Sequence, residues 1–123
     1  MKPQNLIENK SFDFAVRVIR LYKYLREEKR EFILSKQVLR SGTSIGANIS
    51  EGLQGISKND FIAKFSIALQ EAQETSYWLR LLKESDYLKE EEFNSLHSEL
   101  IDLIKILTSI LKTSRGRIEP RRT

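Results

Sequence analysis

The sequence predicts an all-α protein, an antiparallel up-down four-helix bundle. Three observations lead there. Only five glycines and two prolines occur in 123 residues, and both prolines lie near the termini, so long segments run without a helix breaker. Four of those segments carry apolar residues at helical spacing. The composition, 40% hydrophobic and 31% charged, is that of an ordinary globular chain large enough to bury one core.

The first helix is predicted to begin at Ser11, read as its N-cap. Its apolar residues form two stripes. One holds Phe12, Val16 and Ile19; the other holds Phe14, Val18, Leu21 and Leu25. At about 100° per residue the two span an arc of roughly 220°, far wider than the stripe of an ordinary surface helix. The excess points to a second layer, such as another subunit. A turn is predicted over 27–31, because Phe32-Ile33-Leu34 opens a new hydrophobic phase.

The second helix is predicted over 32–51, with Leu34, Val38, Ile45 and Ile49 as its stripe. Gly42 and Gly46 share a face within it. Each glycine inside a helix costs about 1 kcal/mol relative to alanine, so the pair marks a site of close helix approach. Gly52-Leu53-Gln54-Gly55 closes the helix, glycine being suited to a left-handed cap. Ser57-Lys58-Asn59-Asp60 reads as the capping box of the third helix, which runs to Lys83. The fourth is predicted over 89–113. Its Phe93, Leu96, Leu100, Leu103, Leu107 and Ile110 follow the alternating three- and four-residue register of bundle cores. The resulting division is an N-terminal extension over 1–10, the bundle over 11–113, and a basic flexible tail over 114–123.

Several function classes drop out on composition. With no cysteine and one histidine, His97, thiolate chemistry and sites needing two imidazoles are excluded. A di-iron bundle needs Glu-x-x-His on two helices; Asn94 stands where the glutamate before His97 would be. No apolar run approaches the roughly 18 residues of a membrane span, and no signal region follows the first residues, so the expectation is a cytoplasmic protein. Neither a cofactor nor a small-molecule substrate is expected. Glu71 and Glu74 are read as partners of basic residues of the front half rather than as a catalytic pair.

Charge is unevenly distributed. The chain carries +4 overall, while residues 1–40 carry +5, residues 41–111 carry −5 and residues 112–123 carry +4. The cations proposed to meet phosphate are Arg17 and Arg20 on the first helix and Arg115, Arg117, Arg121 and Arg122 in the tail. Asp13, four residues before Arg17, is placed to neutralise it in part. Phe14, Val18 and Leu21, with Ile67, Trp78 and Leu81 of the third helix, are the expected oligomer surface.

The segment Arg40-Ser41-Gly42-Thr43-Ser44-Ile45-Gly46-Ala47-Asn48-Ile49, with Asp60-Phe61-Ile62-Ala63-Lys64, Glu71-Ala72, Glu74-Thr75 and Tyr77-Trp78-Leu79-Arg80-Leu81-Leu82, resembles a bacterial family of four helix bundle proteins. These are also called 23S rRNA intervening-sequence proteins. The resemblance covers about residues 10–112. It implies a left-handed antiparallel bundle assembled as a ring-shaped homopentamer. Some members are encoded within insertions in the large ribosomal RNA gene. A related branch, the accessory variability protein of diversity-generating retroelements, binds nucleic acid and partners a reverse transcriptase. The match supplies no catalytic residue. The expectation is therefore a non-enzymatic oligomer that binds RNA or DNA backbone through basic surface and tail. The alternative is a protein–protein adaptor ring that does not touch nucleic acid.

Overall fold

The computed structural model describes residues 3–118. They form α1 (Pro3–Glu27), α2 (Leu34–Leu53), α3 (Lys58–Glu84) and α4 (Glu90–Ile118). Cross-helix pairs fix the direction of each neighbour. Arg40 of α2 meets Glu74 of α3, while Glu51 further along α2 meets the earlier Lys64. Ser66, Ser76 and Lys83 of α3 meet Arg115, His97 and Glu90 of α4 in descending order. Gly42 and Gly46 of α2 lie against Val18 and Ser11 of α1. The helices are thus antiparallel around a single ring, α1 beside α2, α2 beside α3, α3 beside α4 and α4 beside α1.

The heptad positions of α4 from Phe93 to Ile110 are all buried, as their spacing predicts. So are Val38, Ile45 and Ile49 of α2 and Phe65, Ala68, Ala72, Leu79 and Leu82 of α3. Ser57 caps α3, accepting the Asp60 N–H at 3.1 Å, as the capping box predicts.

α1 differs from the prediction at its start. It begins at Pro3, a residue suited to the first helical position, and Ser11 lies inside it. The Ser11 hydroxyl donates to the Glu8 carbonyl at 3.0 Å instead of capping. Ile7, Ser11, Phe14, Val18, Leu21 and Leu25 form one continuous buried stripe. A serine within that stripe disguised its first two turns as an extension.

Phe14, Val18 and Leu21 are therefore core residues of the chain itself, exposed by 7% or less, and are not available as an oligomer surface. The outward stripe of α1 is the other one: Phe12 is 69% and Ile19 39% exposed. At the other end of the chain, α4 continues through Arg115 and Gly116 to Ile118, and Ser114 is buried. The expected flexible tail from residue 114 is helical up to that point.

Three glycines of α2 face neighbouring helices, and none of the described glycines has a left-handed φ. A Cβ on Gly42 would stand 2.8 Å from both Val18 methyl carbons. One on Gly46 would stand 3.4 Å from the Ser11 carbonyl oxygen and hydroxyl, and one on Gly52 2.8 Å from the Phe65 ring. Gly52 thus remains helical and makes room for an aromatic ring; Gln54, with φ −97°, takes the cap.

Gly42→Ala should destabilise the protein in denaturant titration, since overpacking a filled core costs about 1–3 kcal/mol and Val18 is fully buried. Gly46→Ala meets only ordinary contact. It should be neutral or gain up to about 1 kcal/mol from helix propensity.

Candidate nucleic-acid interface

The corner between α1 and α2 is built by one residue. The last turn of α1 closes with Glu28 N–H on the Tyr24 carbonyl at 2.8 Å and Glu31 N–H on the Leu25 carbonyl at 2.9 Å. Arg30 takes the left-handed conformation this closure requires, φ 56°, where glycine is the usual occupant. Glu31 is buried. Its carboxylate accepts the N–H groups of Ile33, Leu34 and Ser35 at 3.2, 2.9 and 2.7 Å. Its carbonyl accepts the Ser35 hydroxyl at 2.9 Å. These N–H groups open α2 and have no partner within the helix, and a carboxylate there also complements the helix dipole.

Glu31 is therefore turned inward, away from the cations around it. Among the described residues, the basic side chains in ion pairs are Arg17 with Glu99 (2.9 Å), Arg40 with Glu71 (3.2 Å) and Glu74, Lys64 with Glu51 (2.8 Å), and Lys83 with Glu90 (3.7 Å). Arg20, Lys23, Arg26, Lys29, Arg30 and Lys36 have no carboxylate within pairing distance among those residues. They follow the second half of α1, the corner and the start of α2.

Aromatic rings lie between these cations. The Arg26 guanidinium is 5.4 Å from the Tyr22 ring centre and 5.0 Å from that of Phe32. Arg30 stands 5.7 Å from Phe32, and Lys29 stands 5.9 Å from Tyr24. Cation–π contacts of this kind hold long side chains in place at exposed sites. Composition places these cations in the basic front half, but their grouping with the rings was missed. The available signal was Tyr22, Tyr24 and Phe32 interleaved with Arg26, Lys29 and Arg30.

The arginines proposed from sequence fall in different places. Arg17 and Arg20 line one groove of about 310 Å³ between α1 and α4, over Leu21, Leu88 and Leu96. Arg17 is paired with Glu99 across the seam, not with Asp13. Arg115 donates to the Ser66 hydroxyl at 2.9 Å on the α3 side. Arg117 belongs to α4 but its side chain lies outside the described residues, as do Arg121 and Arg122 entirely.

On the opposite flank, Arg40 binds both Glu71 and Glu74, and the Trp78 indole N–H donates to Glu74 at 2.9 Å. The two glutamates thus face a basic residue of the front half, as expected. Ile67 is 40% exposed, while Trp78 and Leu81 are half-buried. Asn48 donates to the Ser44 carbonyl at 2.9 Å, a bond within its own helix. His97 shares a 2.8 Å hydrogen bond with Ser76 and stacks on Phe93. Burial, and then the Arg80 charge, lower its pKa below the ordinary 6.5, which favours the neutral imidazole. No group of three or more metal-ligating side chains is assembled among the described residues, and no described helix is long and apolar enough to cross a membrane.

Comparison with known proteins agrees with this architecture. Residues 4–109 match the 23S rRNA-intervening sequence protein family. No curated protein matches the chain. Among solved structures, the chain is similar to a protein of unknown function of the S23 ribosomal protein family from Bacteroides thetaiotaomicron VPI-5482. The two are 50% identical with a TM-score of 0.89, over 90% of this chain and 99% of that one.

The corner rests on the Glu31 carboxylate, so Glu31→Ala should lower unfolding free energy by about 1–3 kcal/mol, the range for a lost cap that strands buried donors. Glu31→Gln keeps one acceptor oxygen and should lose less in the same denaturant titration.

Proposed function

The chain belongs to the 23S rRNA-intervening sequence protein family, and from that premise we propose that it is a non-catalytic oligomer that holds RNA or DNA by the phosphate backbone. The observation that carries this reading is the run of six cations from Arg20 to Lys36 without a carboxylate partner among the described residues. An exposed cation set of this kind binds phosphate by releasing counterions and needs no base-specific contact.

Self-association is supported by the outward stripe of α1. Phe12 and Ile19 are exposed, with Val16 half-buried between them, and large apolar groups in a row favour burial against a partner. The adaptor reading draws on a different feature, Ile56, which is 98% exposed in the α2–α3 turn.

Binding to mixed-sequence RNA or DNA should be measurable at ~50 mM salt and weaken steeply with added salt. Replacing Lys23, Lys29 and Lys36 by Gln should weaken binding and reduce the slope of log affinity against log salt by about 2–3, at ~0.7–0.9 per phosphate contact. Deleting residues 119–123, which removes Arg121 and Arg122 without entering α4, should reduce the slope by less. Absence of binding at that salt would give way to the adaptor.

Light scattering at micromolar concentration should give a mass near five times the 14.4 kDa of one chain, the number implied by the family resemblance. Phe12→Glu should lower that mass without loss of helicity, because Phe12 lies outside the core. A monomeric parent protein would overturn the assembly.

A further inference from the structure

The α1–α2 corner holds more than loose phosphate-binding charge. The Phe32 ring is 42% exposed, and Ile33 beside it is 75% exposed. Tyr22, Arg26, Phe32 and Arg30 make an alternating series of ring and guanidinium, with separations of 5.4, 5.0 and 5.7 Å. Here both guanidinium groups are drawn against a ring that remains open to solvent. Arg30 reaches that position from a left-handed backbone, which strains a side-chain-bearing residue by about 1–2 kcal/mol.

We propose that this corner is a stacking platform for unpaired bases, so that the protein's nucleic-acid ligand is single-stranded. The proposal rests on the nucleic-acid reading above and names the form of the ligand. In a duplex every interior base is covered on both faces, so no interior base face is available to a ring at the protein surface. In a single strand a base can leave its neighbours and lie on an aromatic ring or a guanidinium plane. The Phe32 ring, 42% exposed, and the guanidinium groups of Arg26 and Arg30 packed over it together supply such surfaces. Lys29 and Lys36, exposed on either side of it in sequence, are placed to hold the flanking phosphates. Stacking of this kind accepts any base and either sugar.

The test uses the full chain and an unstructured mixed-sequence 20-nucleotide strand, as RNA and as DNA, alone and annealed to its complement. The parent protein should bind both single strands more tightly than the duplexes. Phe32→Leu keeps apolar volume and removes the ring. It should lower single-strand affinity about five- to a hundred-fold, the range for one lost base–aromatic stack, and leave duplex affinity unchanged. Phe32→Trp should restore single-strand affinity. Arg26→Lys retains charge but loses the plane that stacks, and should repeat the effect of Phe32→Leu if that variant folds poorly. Equal affinity of the parent protein for strand and duplex would overturn the proposal. So would an equal loss on both forms in Phe32→Leu and Arg26→Lys, no loss in either, or a loss confined to one sugar. Failure of the parent protein to bind any of the four ligands would instead overturn the nucleic-acid reading itself.

Discussion

The closeness of α2 to its neighbours is the constraint around which the bundle is arranged. At Gly42 the Val18 methyls occupy the space a Cβ would need, and at Gly52 the Phe65 ring does so from the other side. α2 therefore lies tight against both α1 and α3. Its fully buried large side chains are Ile45 and Ile49, while the fully buried aromatic rings, Phe14 and Phe65, come from α1 and α3. The α1–α4 seam is the loosest of the four contacts, and the groove lined by Arg17 and Arg20 opens there. Glycine inside a helix is unfavourable on propensity; here dense packing offsets that loss.

The corner between α1 and α2 links fold to surface chemistry through Glu31. Glu31 is one of three carboxylates, with the exposed Glu27 and Glu28, among the six cations from Arg20 to Lys36. This one is buried and accepts three backbone N–H groups of α2, so its charge serves the helix end. The stretch from Arg20 to Lys36 carries +3 by sequence, and the one of its three carboxylates that is buried is the one at the helix end. The rings of Tyr22, Tyr24 and Phe32 then hold the long cationic side chains in place. Structural demand on one residue thus shapes the electrostatics of its neighbours.

Elsewhere two cations of the same basic half are satisfied internally. Arg40 is held by Glu71 and Glu74, and Glu74 in turn accepts the Trp78 indole. Arg17 is held by Glu99 across the α1–α4 seam. Exposed ion pairs such as these contribute little stability, of order 0–1 kcal/mol. Their effect here is on availability: the front half carries ten cations by sequence, yet two of them already have carboxylate partners. The cations of the front half open to an anionic ligand are therefore fewer than the charge count suggests.

The sequence by itself determined the four helices, the α3 cap and the α4 core face. Those features follow from local periodicity and from side chains bonding their own backbone, and both act over a few residues. It also indicated that Glu71 and Glu74 would face basic residues, without saying which. The buried stripe of α1 was beyond its reach. Phe14, Val18 and Leu21 satisfy helical spacing as well as Phe12, Val16 and Ile19 do, and only packing against α2 and α4 chose the first set. The same holds for the start of α1, since Ile7 counts as core only once its neighbours cover it. Tertiary structure likewise selected Glu99 over Asp13 for Arg17 and turned Glu31 inward to cap α2. Ion-pair partners and burial depend on what lies across the bundle, and a one-dimensional pattern holds no record of that distance.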